Sequence, residues 1–318
     1  MKPLFLIAIF LYSFSSFGQV LQQQTDFGKN EGELDMYFYK PDGLAKDAAL
    51  VVALHGCSQT AESYAYESGW NELADQYKFM VIYPQQRKSN NAYACFNWFN
   101  EGDINPKQGE NQSILEMIEY AKANYSVDKE KVFVTGFSAG GAMSTILLGN
   151  YPKVFEGGGV LAGIAYKAAT NLPNALQVMK EAPNLSNEAL SALLPSSTLE
   201  QKIPKLAVFT GAKDQIVTPK NSQQIISQFL FASLASAPEL TPQIDTLNVR
   251  DTKFPYQRIN YKVGDQQQFV SFTFLNEGHA LFIDEGSEKM QGGHVGNFTK
   301  DVDFHSSYWI ADFWGLID

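Results

Sequence analysis

Cysteine, histidine and basic residues are all scarce in this sequence: two cysteines, four histidines, and 24 Lys and Arg against 34 Asp and Glu in 318 residues. The basic deficit leaves a formal net charge of -10. That balance argues against nucleic acid or an anionic membrane as partner, because both demand clustered cations. Charged residues make up only 18% of the chain, too few for a disordered protein, and 45% hydrophobic residues support a large core. Long apolar runs are lacking too. The run Leu4 to Tyr12 is about half of what a membrane span needs, so no membrane anchor is expected. No Pro/Gly/Ser linker, internal repeat or low-complexity tract divides the chain.

The N-terminus reads as an export signal over residues 1–18. Lys2 supplies the charge, Leu4 to Tyr12 the apolar core, and Ser16-Phe17-Gly18 a small-x-small cleavage site. The expectation is a secreted or periplasmic protein with one domain over residues 19–318. In such a compartment the two cysteines suggest a Cys57–Cys95 disulfide, with two free thiols as the alternative. The bridge would close a loop of about 38 residues, an entropic effect of ~4 kcal/mol.

Strand and helix patterns alternate, which predicts an α/β protein with a mostly parallel, doubly wound sheet. Leu34, Met36 and Phe38 alternate along an opening strand. Ala49 to Leu54 is a continuous apolar strand that ends at His55-Gly56. Ala61 to Tyr77 reads as one helix, and Phe79 to Tyr83 as a strand stopped by Pro84. Ile114, Met117, Ile118 and Ala121 fall at helical spacing, behind a Gly109-Glu110 start where a carboxylate suits the helix dipole. Later come a strand near Gly158 to Ala162, a helical insertion over 168–199, and a strand Lys205 to Thr210. A helix capped by Thr218-Pro219 follows, then a hairpin about Gly264-Asp265. Val302, Ser306, Trp309 and Phe313 predict the apolar face of a final helix.

The chain is organised around Lys131 to Gly149, KVFVTGFSAGGAMSTILLG. A short β-branched strand runs into Gly136-Phe137-Ser138-Ala139-Gly140, and an Ala-rich helix starts at once. This strand, G-x-S-x-G, helix context holds a serine on a sharp elbow, with glycines where the two backbones pass closely. Ser138 is the candidate nucleophile; the bland alternative is a Ser/Gly turn. In the order serine, acid, histidine, Asp214 is the natural acid, four residues past the strand Lys205 to Thr210. Its alternative role is an Asx-turn. His279 follows the strand Gln268 to Leu275 and is the candidate base, with His294 as the alternative; His305 lies in the final helix. The residue after the nucleophile, Ala139, and Cys57 in the loop after Leu54 are placed to give the two oxyanion N–H donors. His55 shapes that loop.

Four pieces, LHGCSQTA (Leu54 to Ala61), CFNWF (Cys95 to Phe99), VFVTGFSAGGAM (Val132 to Met143) and EGHA (Glu277 to Ala280), resemble the secreted esterases of the polyhydroxybutyrate (PHB) depolymerase type, which include feruloyl and acetylxylan esterases. The resemblance implies an α/β-hydrolase fold, a Ser138, Asp214, His279 triad, an oxyanion site at Cys57 and Ala139, and a Cys57–Cys95 bridge. It also implies an ester substrate and catalysis with no metal and no organic cofactor. Trp98, Phe96 and His55 are the candidate substrate-binding residues, the first two placed to stack on a feruloyl ring or sugar, with plain packing as the alternative. Family members often carry Trp shortly after the catalytic His, where this chain has Leu281 and Phe282. With no adsorbing domain visible, the expectation favours feruloyl or acetyl esters of plant polysaccharide, with polyester depolymerisation as the alternative. A catalytically silent binding protein and a serine peptidase are the rivals.

Overall fold

Hydrophobic patterning produces alternating strands and helices in the computed structural model, which describes residues 20–199 and 203–317. The leader expected over 1–18 lies outside the described residues. The strands are β1 (Gln22–Gln24), β2 (Asp35–Tyr39), β3 (Ala48–Leu54), β4 (Met80–Gln85), β5 (Val127–Phe137), β6 (Gly157–Leu161), β7 (Lys205–Gly211), β8 (Gln243–Val249), β9 (Tyr256–Val263), β10 (Gln266–Phe274), β11 (Leu281–Ile283) and β12 (Thr299–Asp301). The helices are α1 (Ala61–Ser68), α2 (Trp70–Tyr77), α3 (Glu101–Ile104), α4 (Gly109–Asn124), α5 (Ala139–Asn150), α6 (Leu172–Glu181), α7 (Asn187–Ser191), α8 (Ser196–Leu199), α9 (Pro219–Ser236) and α10 (Ser306–Trp314).

One ten-stranded sheet has the order β1-β2-β4-β3-β5-β6-β7-β10-β9-β8. From β4 to β10 the neighbours run parallel, and the strands at both ends are antiparallel. A parallel centre needs cover on both faces, and the continuous apolar run of β3 supplies it. Leu50, Val52 and Leu54 pack on one face with residues of α4, α5 and α9. Val51 and Ala53 point the other way, into a second layer shared with α1, α2 and α10. This is the expected α/β-hydrolase architecture in a single domain. It sends the carboxyl ends of β3, β5, β7 and β10, and the loops that follow them, to one rim.

Several local features differ from the periodicity. The helix expected over Ala61 to Tyr77 is two helices, broken at Gly69, which adopts φ 72° and ends α1. The strand expected to stop before Pro84 continues to Gln85, because β2 still pairs with it there, Met36 beside Pro84 and Asp35 beside Gln85, although the β3 ladder ends at Ile82. Strand β8 has almost no buried residue, so alternation could not mark it. In α10 the buried face runs through Ile310, Ala311 and Trp314 rather than Trp309 and Phe313. The reason lies in β6, whose Gly157 and Gly159 leave a floor without side chains on this face, while Gly158 faces Leu148 of α5 on the other. Ile310 and Trp314 lie directly on it, and Trp314 Nε1 donates to the Gly158 carbonyl at 3.3 Å.

Candidate active site

Strand β5 ends at Phe137 and α5 begins at Ala139, so Ser138 alone makes the turn, at φ 54° and ψ -116°. A non-glycine residue holds that conformation only where its surroundings over-determine it. Two contacts do so. The Ser138 N–H donates to the Leu161 carbonyl at the end of β6, 2.9 Å away. The flanking glycines allow the approach: a β-carbon at Gly136 would fall on the Gly140 backbone, and one at Gly140 on the carbonyls of Leu54 and His55.

Beyond β7 and β10, the structure brings Asp214 and His279 together. Oδ2 of Asp214 faces Nδ1 of His279 at 2.7 Å, with the aspartate side chain fully buried. Oδ1 accepts from the N–H groups of Ile216 and Val217 at 2.8 and 2.9 Å. The Asx-turn and the histidine contact are thus served by separate oxygens. The His279 ring lies 4.8 Å from that of Phe137, one residue before Ser138. His294 is engaged elsewhere, 2.9 Å from Glu72 and stacked on Tyr66. Buried His305 precedes α10, with Nε2 at the Ser68 carbonyl.

Cys57 follows β3 and is joined to Cys95 in a disulfide with Cα atoms 4.2 Å apart. The Ser58 N–H also reaches the Tyr93 carbonyl at 2.7 Å, so this loop and the 93–99 segment are tied at two points. From below, the loop is held by Gln59, whose Oε1 accepts from the Gly56 N–H at 2.7 Å. Buried Glu67 orients that amide by accepting from its Nε2 at 2.6 Å.

Beside Ser138 opens a cavity of about 570 Å³, lined by Cys57 and Ala139, by Asn91, Tyr93, Asn97, Trp98 and Phe99 on one side, and by Ile164, Leu172, Leu176, Met179 and Val217 on the other. No Asp, Glu, Lys, Arg or His is among its lining residues. Helix α6 of the insertion gives the second wall, a contribution that the polar look of 168–199 conceals. Trp98 reaches the cavity, edge-on to Phe99 with ring centroids 5.3 Å apart. Phe96 and His55 do not. Phe96 is wholly buried in the core against the His55 ring, 4.9 Å away. His55 is spent on the backbone of Gly56 and Gln86, and burial pushes its pKa down to about 4, so it stays neutral.

The sequence model of the family described as Esterase PHB depolymerase matches residues 34–237. The chain belongs to this family. It is 38% identical over 318 residues to poly(3-hydroxyalkanoate) depolymerase C of Paucimonas lemoignei, covering 99% of this chain and 74% of that one. Feruloyl esterase B of Neurospora crassa is 30% identical over 295 residues, 90% of this chain and 96% of that one. An acetyl xylan esterase structure from Aspergillus awamori superposes with a TM-score of 0.74 at 23% identity, over 94% of this chain and 100% of the other, and shares its fold. As a member of this esterase family, the chain is a serine carboxylic ester hydrolase.

Proposed function

We propose that Ser138, His279 and Asp214 form the catalytic triad, that Cys57 and Ala139 hold the oxyanion, and that the substrate is a polyester of short hydroxyalkanoate units. The observation that supports the triad is the Asp214–His279 contact against the strained elbow of Ser138. Nε2 of His279 takes the Ser138 proton as Oγ bonds to the ester carbon, and Asp214 stabilises the imidazolium. The developing O⁻ accepts from the N–H groups of Cys57 and Ala139, the latter at the positive end of α5. Collapse breaks the C–O bond, and the departing alkoxide takes the proton from His279. Water, activated by the same imidazole, then releases the acid and restores Ser138.

The uncharged, largely apolar cavity supports the polyester reading, since it offers a hydroxyalkanoate chain apolar contact, while the amides of Asn90, Asn91 and Asn97 on its wall are bonded within the protein. The relative from Paucimonas lemoignei points the same way. A second reading, a feruloyl ester, is favoured by Trp98 and exposed Tyr93 at the cavity. We place the protein outside the cytoplasm through the leader 1–18, a reading supported by the disulfide. Purified protein and its Ser138→Ala variant are to be compared on amorphous poly(3-hydroxybutyrate), methyl ferulate and acetylated xylan. Release of hydroxybutyrate by the wild type alone is expected. Release of ferulate or acetate alone would replace the polyester reading, and equal background from both proteins would remove Ser138 as nucleophile.

A further inference from the structure

Glu110 takes no part in the chemistry above. It sits in the first turn of α4, where a carboxyl group suits the helix dipole, yet it is fully buried. Its Oε1 accepts from Nδ2 of Asn97 at 2.8 Å and from Nε2 of Gln86, and its Oε2 accepts from the Asn97 backbone N–H at 2.9 Å.

The Gln86 arm leads to the oxyanion loop. The Gln86 N–H donates to Nε2 of His55 at 3.1 Å. With Nε2 accepting, the proton of the neutral ring sits on Nδ1, which donates to the Gly56 carbonyl at 2.7 Å. Every described peptide bond is trans, so fixing the Gly56 C=O toward His55 turns the Cys57 N–H the opposite way. The Asn97 arm leads to the cavity wall. Oδ1 of Asn97 accepts from Nδ2 of Asn91 at 3.0 Å, so both ends of its amide are committed. Asn97 and its neighbour Trp98 both line the cavity.

We propose that Glu110 is a positioning residue for ester hydrolysis: its buried carboxyl group joins the loop that presents the Cys57 N–H to the wall that carries Asn97 and Trp98. The disulfide ties the same two segments above, and Glu110 ties them below. This inference rests on the roles given above to Ser138 and Cys57. Glutamine is the informative replacement, because it keeps the volume of Glu110 but exchanges one of the two oxygens that accept from Gln86 and Asn97 for an NH2 that cannot accept.

The test compares wild type, Glu110→Gln and Gln86→Leu by hydrogen exchange and by kinetics on p-nitrophenyl acetate, with folding checked by circular dichroism. Nε2 of Gln86 also donates to the Cys95 carbonyl at 3.2 Å, so in both variants amides of residues 55–59 and 95–99 should exchange at least about tenfold faster, while those of α5 hold their wild-type rates. Displacement of an oxyanion donor should lower kcat by about tenfold to a hundredfold, with KM within about twofold, since the ester's ground state does not use that donor. Unchanged exchange at 55–59 in both variants would overturn the proposal, and so would faster exchange with unchanged kcat. The exchange arm reads the tie whether or not turnover depends on Ser138. A wild type whose turnover matches Ser138→Ala therefore sinks the triad reading separately. If Glu110→Gln fails to fold, Gln86→Leu decides by the same exchange and kcat criteria.

Discussion

Oδ2 of Asp214 lies 2.7 Å from Nδ1 of His279, while Oδ1 of the same carboxylate closes the turn that carries Ile216 and Val217. One side chain therefore orients the imidazole and shapes its own loop. Replacement by asparagine and by alanine should separate the two tasks. Asp214→Asn retains an acceptor for the turn and should stay folded while kcat falls by about 10³- to 10⁴-fold. Asp214→Ala should lose comparable activity and, in urea titration, a further ~1–3 kcal/mol from the two orphaned amides. Equal stability of the two variants would contradict this division.

The Cys57–Cys95 bridge is expected to matter both to stability and to turnover. Replacing both cysteines by serine should lower unfolding free energy by ~4 kcal/mol on the loop-entropy estimate. It should also lower kcat more than it raises KM, because the loop carrying the residue-57 N–H gains freedom. Retention of full kcat at a temperature where the variant is still folded would remove the oxyanion role of this loop.

Leu172 and Leu176 are half-exposed on α6 while lining the cavity. Changing Leu176→Lys places a charge where an apolar chain would lie. Turnover of amorphous poly(3-hydroxybutyrate) should fall by about tenfold, with p-nitrophenyl acetate, too small to span that wall, changed by less than about twofold. Parallel loss on both substrates would place Leu176 in the core of the reaction instead.

Glu110 makes stability depend on pH in a direction opposite to that of an ion-paired carboxylate. Burial, with the charge of Asp103 adding to it, pushes its pKa up from 4.5 to about 8. Between those values the unfolded chain has released a proton that the native protein keeps. Stability contributed by this group is therefore complete below about pH 4.5 and is lost as pH rises toward about 8. The slope is at most ~1.4 kcal/mol per pH unit. Urea titrations from pH 5 to 9 should show that decline in wild type relative to Glu110→Gln; parallel curves would contradict it.

The parts of the site legible in the sequence are those that follow from local backbone requirements or chain order. The elbow announces itself because strand, glycines and helix must be contiguous, and four histidines leave few choices for a partner of Asp214. Trp98 was marked by the Cys-x-x-Trp spacing. What stayed hidden was assembled from distant segments. Glu110 in a helix's first turn looks like an ordinary dipole partner, and nothing local shows that Gln86 and Asn97 converge on it. Phe96 and His55 belong to conspicuous motifs, yet both are used up beneath the loop. Strand β8 is an exposed edge strand, so its pairing with β9 leaves no apolar signature.

Gly157 and Gly159 of β6, and the Trp314 and Ile310 side chains that lie over them, have a consequence for biosynthesis. At Gly157 and Gly159 the central strand has no side chains of its own on that face, and its cover there is supplied by residues 310 and 314. A ribosome that has delivered every strand has still not delivered the groups that dry the central strand. Over β6 the second layer can set only after α10 has emerged, and until then that strip of the sheet is an apolar surface open to non-native contacts.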